Sequence, residues 1–345
     1  MKTALVTGGA GFFGGILIGR LLGDGWRVVS IDLQPDDRVD PCFRAVQGDI
    51  RDPELMRTIY EENSFDVAYH CAAILAHAVK DEAFLWTSNV DGTRVVAEGA
   101  RKARVPKLVF ISSNCLWGRG YPYAITEDEP PAPVELYGKS KWQAEKIVNE
   151  FRGDLDVVSF RCPTITDSGR LGLLSILFEF IDEGRRVWTV GGGTNRYQFI
   201  YAQDLADACI RAAGYPRSEI FNIGSDGVKT MSEVYEYVIA KAGTGARVAA
   251  LPKAPTLLAM RVAHHLKLSP LGPYHYKMIA ENFLFDTSRI KSSLGWRPTL
   301  TNEQMLYEAY RYYQTNRRQI EARTDVSAHK QAADMGIIRL LKWLS

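Results

Sequence analysis

The sequence predicts an α/β protein: a doubly wound parallel sheet followed by a smaller, mostly helical C-terminal lobe that binds substrate. Three observations predict it. Short β-rich apolar runs recur at residues 4–7, 28–31, 43–46, 67–71, 108–112 and 157–160. Most of these runs are separated by stretches of helical periodicity, the mark of βαβ units with helices on both faces of a parallel sheet. Finally, a glycine-rich loop, Thr7-Gly8-Gly9-Ala10-Gly11-Phe12-Phe13-Gly14, joins the first run to the first helical segment.

That loop supplies the chemistry of the first βα turn. Gly8 allows the tight turn, Gly11 lets a pyrophosphate approach the backbone, and Gly14 brings the helix close to the sheet, with the phosphates at the helix N-terminus beside Phe12 and Phe13. The context of strand, loop and helix makes this a Rossmann-type dinucleotide site. The second run ends at Asp32, about 20 residues beyond the glycines, where a carboxylate accepts both adenosine ribose hydroxyls. A 2′-phosphate would be repelled there, so NAD(H) is expected over NADP; the alternative for Asp32 is a plain strand-end turn. After the third run, Gly48-Asp49-Ile50-Arg51-Asp52 puts Asp49 and Ile50 in reach of the adenine. The fourth run ends in His70-Cys71-Ala72-Ala73, and the small Ala72 and Ala73 let the dinucleotide lie close, while His70 reads as a structural strand residue.

Helices are expected over residues 12–22, 82–103 and 137–151. The last of these opens with Tyr137-Gly138-Lys139-Ser140-Lys141, which sets a phenol and an ammonium at i and i+4 on one helix face. A phenol of pKa about 10 is a poor base at neutral pH, and a neighbouring ammonium stabilises its phenolate. The fifth run ends in Ser112-Ser113-Asn114-Cys115-Leu116-Trp117-Gly118, and ligands of open α/β sheets sit at the carboxyl ends of strands. Ser113 is therefore a candidate for polarising a substrate oxygen, with Tyr137 and Lys141 as the proton-transfer pair.

Taken together, the glycine loop, Asp32, Gly48-Asp49-Ile50-Arg51-Asp52, the His70 strand end, the Ser113 element and Tyr137-xxx-Lys141 resemble the extended short-chain dehydrogenase/reductases, also called the NAD-dependent epimerase/dehydratase family. The resemblance runs from residue 2 to about residue 298. It implies that Ser113, Tyr137 and Lys141 are catalytic, that Lys141 holds the cofactor ribose, and that Asn89 supports the site from its helix. It also implies that Pro163 and Thr164 pass the nicotinamide, and that the enzyme is a homodimer built from segments 82–103 and 137–151. Trp117 stands where the family usually has Tyr. The segment from Phe199 through Tyr201 to Asp204 matches the family's FIHVxDLA element, and Leu294-Gly295-Trp296-Arg297-Pro298 matches its LGWxP element.

Dehydratases of the family follow the catalytic hydroxyl with an acid pair; Ser113-Asn114-Cys115 has none, which disfavours water elimination. Nucleotide-sugar epimerases carry an arginine ahead of the FIHV-like element, where this chain has Gln198 or Tyr197, with Arg196 displaced. Their later PxRxGD segment is replaced by a largely apolar stretch over residues 251–274, read either as a packed helical hairpin or as substrate-lining. That stretch, with Phe283-Leu284-Phe285-Asp286-Thr287-Ser288, is similar to the 3β-hydroxysteroid-dehydrogenase-like branch. The leading expectation is hydride transfer between NAD(H) and a secondary alcohol or ketone of a hydrophobic, lipid-like substrate. The alternative is a nucleotide-sugar 4-epimerase or keto-sugar reductase in which Arg196 or Arg261 grips the diphosphate. Asn114, Thr164, Arg196 and Tyr201 are the substrate-side candidates. A third class, a cofactor-binding protein without activity, is opposed by the intact Ser113, Tyr137 and Lys141.

The 345 residues allow a large core, divided as a dinucleotide domain over 1–165, a substrate lobe over 166–318 interleaved with the last sheet strands, and a tail over 319–345. A net charge of +2, spread along the chain, points to no nucleic-acid partner. Five cysteines without a CxxC pair suit a reduced, cytoplasmic protein with neither disulfides nor metal. The first strand begins too early for a signal peptide. The tail ends in an apolar run broken by Arg339 and Lys342, suited either to a packed helix or to peripheral contact with a membrane.

Overall fold

The computed structural model describes residues 1–75, 81–172, 174–266 and 273–321. The tail beyond residue 321, including the run around Arg339 and Lys342, lies outside the described residues.

Seven parallel strands form the main sheet in the order β10-β6-β5-β4-β1-β2-β3. They are β1 (Thr3–Thr7), β2 (Arg27–Asp32), β3 (Phe43–Gln47), β4 (Val67–His70), β5 (Lys107–Ser113), β6 (Asp156–Cys162) and, after β7 (Thr164–Thr166), β8 (Arg186–Val190) and β9 (Phe199–Tyr201), β10 (Glu219–Asn222). The central strands β4 and β5 are buried along their length, as strands covered on both faces must be. Chain order reverses between β1 and β4, so the C-terminal ends of these neighbours frame the crevice where open sheets bind ligands.

On one face lie α1 (Phe12–Gly23) and, later in the chain, the helix over Ala202–Ala212; on the other lie α2 (Pro53–Glu61), α3 (Glu82–Lys102) and α4 (Leu136–Glu150). Sequence signals start these helices. Asp52 caps α2 through the N–H groups of Glu54 and Leu55, with Pro53 in the first turn, and Asp81 caps α3 through the N–H of Phe84. Leu17 and Leu21 on the first face, and Val96, Ala144 and Val148 on the second, are buried against the sheet.

The second half adds α5 (Leu174–Asp182), α6 (Ala202–Ala212), α7 (Met231–Ala242), β11 (Arg247–Leu251), α8 (Lys253–His265), α9 (Pro273–Ala280), α10 (Ser288–Leu294) and α11 (Asn302–Glu321). Helices α5, α7 and α11 share a core of Phe178, Ile181, Val234, Val238 and Tyr310. The element around Trp296 docks on α6: the indole Nε1 donates to the Asp204 carbonyl at 2.9 Å, and the Asp204 carboxylate accepts from the N–H and hydroxyl of Thr299 at 2.8 and 2.7 Å. Ahead of β9, Tyr197 pairs with Phe283 in an isolated bridge, and the strand itself begins at Phe199. Among the described residues no helix is long and apolar enough to cross a membrane.

Candidate active site

The dinucleotide end of the crevice is built where β1 meets α1. Gly8 has φ +76°, and a Cβ on it would stand 2.7 Å from the Ala72 backbone, so this turn and the close approach of the β4 end both need glycine. Gly11 caps α1 without a side chain, Gly14 lies against the Gly8 carbonyl, and the first turn of α1 holds no acidic residue, so its N-terminus stays electropositive. Phe12 and Phe13 turn their rings into the core and leave only backbone to face a phosphate. Asp32 ends β2 beside the loop: its Oδ2 accepts from the Ala10 N–H at 3.1 Å and its Oδ1 from the Gln34 N–H at 2.9 Å.

Farther along, Asp49 is clasped by Arg51, with Nη2 2.6 Å from Oδ2, and Ile50 is buried with its side chain against Gly92. Ala72 and Ala73 are half-buried at the end of β4. His70 is buried between Thr7 and Thr93, whose hydroxyls lie 2.7 and 2.8 Å from its two ring nitrogens. Burial, reinforced by the Lys141 charge, pushes its pKa down to about 3, which makes it a neutral structural group. Asn89 accepts from the Ile74 N–H and donates to the Ile74 carbonyl and the Ser140 hydroxyl. It ties α3, α4 and the chain after β4 together, acting as a brace rather than a contact.

The chemical end lies at the tip of β5. Ser113 is 8% exposed and its Oγ accepts from the Cys115 N–H at 3.1 Å, opening a short turn over Asn114–Leu116. The first turn of α4 rests on that turn. A Cβ at Gly138 would lie 2.2 Å from the Cys115 carbonyl oxygen, so the glycine after Tyr137 is what lets the phenol-bearing turn reach the Ser113 element. Lys141 follows one turn on, buried, with its ammonium 4.1 Å from the centre of the Phe110 ring. Burial lowers its pKa to about 8, against the opposing pull of Cys162, Cys71, Glu145 and Cys115.

One turn beyond Lys141 sits a feature that motif reading missed. Glu145 is fully buried and pairs with the equally buried Arg161 at 2.7 Å; it also accepts from the Ser112 hydroxyl at 2.6 Å. Arg161 donates onward to the Glu127 carbonyl at 2.8 Å and lies 5.2 Å from the Trp117 ring centre. Because Glu145 already holds Arg161 and Ser112, Lys141 has no salt bridge among the described residues. A buried cation left so near the end of β4, on the edge of the sheet that also carries the glycine cradle and the Asp32 carboxylate, fits the ribose hydroxyls of a dinucleotide whose pyrophosphate the glycines would take. The signal was present in the sequence as Tyr137, Lys141 and Glu145, spaced four apart on one helix face. Arg170 was also passed over; it brings its guanidinium 5.7 Å from the Phe12 ring, at the phosphate end of α1.

The substrate-side candidates do not gather into one set. Asn114 is buried and donates to the Tyr197 hydroxyl at 2.6 Å, and Gln198 is buried with its amide bonded to Ser225 and Phe285. Tyr201 bonds to Asp167, and burial with the nearby Asp167 raises its pKa to about 12. Thr164 opens β7 beside Met278, its Oγ1 4.0 Å from the sulfur, and Pro163 is buried between β6 and β7. Arg196 is exposed, its backbone N–H held by Asn282, and Arg261 is exposed on α8. Among the described residues of the apolar stretch over 251–274, Leu258, Val262 and Leu266 face outward, while Leu257 and Met260 are half-buried. Among the described residues no group of three or more His, Cys, Asp or Glu side chains could hold a metal.

Comparison with known proteins agrees with this fold. The model of the NAD dependent epimerase/dehydratase family matches residues 4–224. An uncharacterized protein, y4nG, of Sinorhizobium fredii is 36% identical over 345 residues, covering 99% of this chain and 86% of its own. A UDP-glucose 4-epimerase of Mycolicibacterium smegmatis is 32% identical over 317 residues, 86% of this chain and 94% of that protein. Among solved structures, the UDP-glucose 4-epimerase of Thermotoga maritima with UDP-glucose superposes with a TM-score of 0.76 at 22% identity, covering 91% of this chain and 99% of its own.

Proposed function

This chain belongs to the NAD-dependent epimerase/dehydratase family, and from that premise we propose that it is a 4-epimerase of a nucleotide-linked sugar, with Ser113, Tyr137 and Lys141 as its catalytic residues. The observation that carries the reading is the docking of the Tyr137 turn on the Ser113 turn, in a chain whose curated relatives include UDP-glucose 4-epimerases. The lipid-like substrate expected from the apolar stretch finds no support among those relatives, and Leu258, Val262 and Leu266 of that stretch face solvent.

NAD, when bound, supplies a hydride acceptor at the substrate carbon and returns the hydride. The residues of the chain manage the proton and the geometry. Tyr137 takes the proton of the substrate hydroxyl as the carbon is oxidised and gives it back when the ketone is reduced on its other face. Ser113 donates to the same oxygen and orients it, and such positioned proton transfer is worth about 10²–10⁴-fold in rate. Lys141 binds the ribose hydroxyls and, in its charged form, stabilises the Tyr137 phenolate. Asp32 accepts from the adenosine ribose, and Gly8, Gly11 and Gly14 leave room for the pyrophosphate. With Asn114 and Cys115 after Ser113, no carboxylate stands ready for water elimination.

The test is conversion of UDP-glucose to UDP-galactose by the purified protein, followed by anion-exchange chromatography, with NADH absorbance flat throughout. A second reading, reduction of a keto group on a substrate without a diphosphate, is favoured by Tyr197 and Gln198, which stand buried at the place where the resemblance to nucleotide-sugar epimerases leads one to expect an arginine. Net NADH consumption with long-chain ketones and no sugar conversion would establish that reading instead. The homodimer through α3 and α4 belongs to the same proposal, and a monomeric mass by light scattering would refute it.

A further inference from the structure

Helix α8 is turned inside out. Its inner side is the modest one: Ala263 is buried, and Thr256, Leu257 and Met260 are half-buried. It packs on α9, where the Tyr276 hydroxyl donates to the Met260 carbonyl at 3.0 Å and the Tyr276 ring stands edge-on to His264. With successive residues turned about 100° apart, the opposite side carries Pro255, Leu258, Ala259, Val262 and Leu266. All five are exposed. Leu258, Val262 and Leu266 expose 63%, 52% and 62% of their surface, and they follow one another at i, i+4 and i+8. A helix packed on a water-soluble protein normally carries its polar residues on this outer side.

The charges are equally one-sided. Arg261 and His265 flank the apolar row, Lys253 stands at the helix start with its side chain beside Gly191, His264 faces Tyr276, and no Asp or Glu occurs between residues 253 and 266, in a chain with 42 basic and 40 acidic side chains overall. Two such faces brought together by a second copy would set these cations against one another. At 13 residues the helix is too short to span a bilayer, which takes about 20. We propose that the outer face of α8 docks on an anionic lipid surface. Its apolar row enters the headgroup boundary while Arg261, at the edge of that row, meets a lipid phosphate. This surface does not depend on which substrate the active site takes.

The experiment is co-sedimentation of the full chain with phosphatidylcholine vesicles, with and without phosphatidylglycerol. The expected result is binding only where phosphatidylglycerol is present, weakened by salt. The paired substitution Leu258→Glu/Val262→Glu should lower the partition coefficient at least about tenfold, as should Arg261→Glu in smaller measure. Both variants should keep the parent's melting temperature and NADH affinity, since the altered side chains already face solvent. Three results would overturn the proposal. One is no binding to either vesicle; another is parental binding by the paired variant, which would place the contact elsewhere, such as the tail. The third is a concentration-dependent dimer that the paired variant dissociates.

Discussion

Replacing Glu145 with Gln tests the architecture that holds the catalytic residues together. The carboxylate is fully buried, 2.7 Å from the Arg161 guanidinium and 2.6 Å from the Ser112 hydroxyl, and Arg161 is itself only 3% exposed. Gln preserves the shape and an acceptor for Ser112 but leaves the Arg161 cation buried without a countercharge. Breaking such a pair costs about 3–5 kcal/mol, against a total stability of about 5–15 kcal/mol for a typical domain. Removing both charges as Glu145→Leu/Arg161→Met should cost less than Glu145→Gln alone, because no buried ion is then left uncompensated. Urea unfolding followed by tryptophan fluorescence measures both, provided the slope m stays constant across the set. Catalysis reports separately. Glu145 lies one turn from Lys141, and Ser112 adjoins Ser113, so the Gln variant should lose kcat while NADH affinity holds. A shift under about 1 kcal/mol for Glu145→Gln would show that the pair is solvated and refute the reasoning.

Three further outcomes follow from the site. Tyr137→Phe should lower turnover by about 10²–10⁴-fold with NADH binding retained, as read by epimerisation rate and cofactor fluorescence; an unchanged rate would end the role assigned to the phenol. Asp32→Ala should weaken NADH binding by about 10–100-fold and narrow the preference over NADPH, because two charged hydrogen bonds to the ribose are lost; equal titration curves for parent and variant would place the ribose elsewhere. Burial lowers Lys141 from its ordinary 10.5 to about 8 in the cofactor-free protein, so its charged form is the one folding disfavours. Between pH 8 and 10.5 the unfolded chain keeps a proton the folded chain has released, and this contribution to stability rises with pH across that window. Lys141→Met should flatten the rise in urea midpoints, and an identical pH slope in the variant would contradict it.

The legible parts of the fold are those coded locally. Strands β1 to β6 each come from a short apolar run, and α1, α3 and α4 from helical spacing, so sequence and structure agree there to within a residue or two, whereas α2, which Asp52 caps, was not expected. The glycine loop and the Tyr137–Lys141 spacing are local for the same reason. What escaped reading is long-range. Asn114 meets Tyr197 across 83 residues, and Glu145 meets Arg161 across 16, from a helix onto a strand. The stretch over 251–274 was misleading in a different way. An apolar helical run states that one side avoids water; it does not state whether the partner is the protein's own core, a ligand or a second phase. On α8 the small and half-apolar side was the one that found the core, and the rich apolar side was left outward.

The same logic bears on how a diphosphate would be held. An arginine ahead of β9 would have offered a fixed cation at the substrate side; Tyr197 instead closes a neutral hydrogen bond with Asn114 inside an aromatic cluster of Trp117, Phe199, Phe283 and Phe285. A cation at position 197 would lie buried among these rings, as costly as an unpaired charge in any core, so the aromatic cluster and the missing arginine are one structural choice. Any positive charge that meets a diphosphate must therefore come from outside the cluster. Arg196 is one residue away and exposed, with its backbone N–H held by the Asn282 side chain. On the epimerase reading proposed above, the nucleotide would be met from this exposed position and not from inside the cluster, with Ser113, Tyr137 and Lys141 left where the sheet puts them.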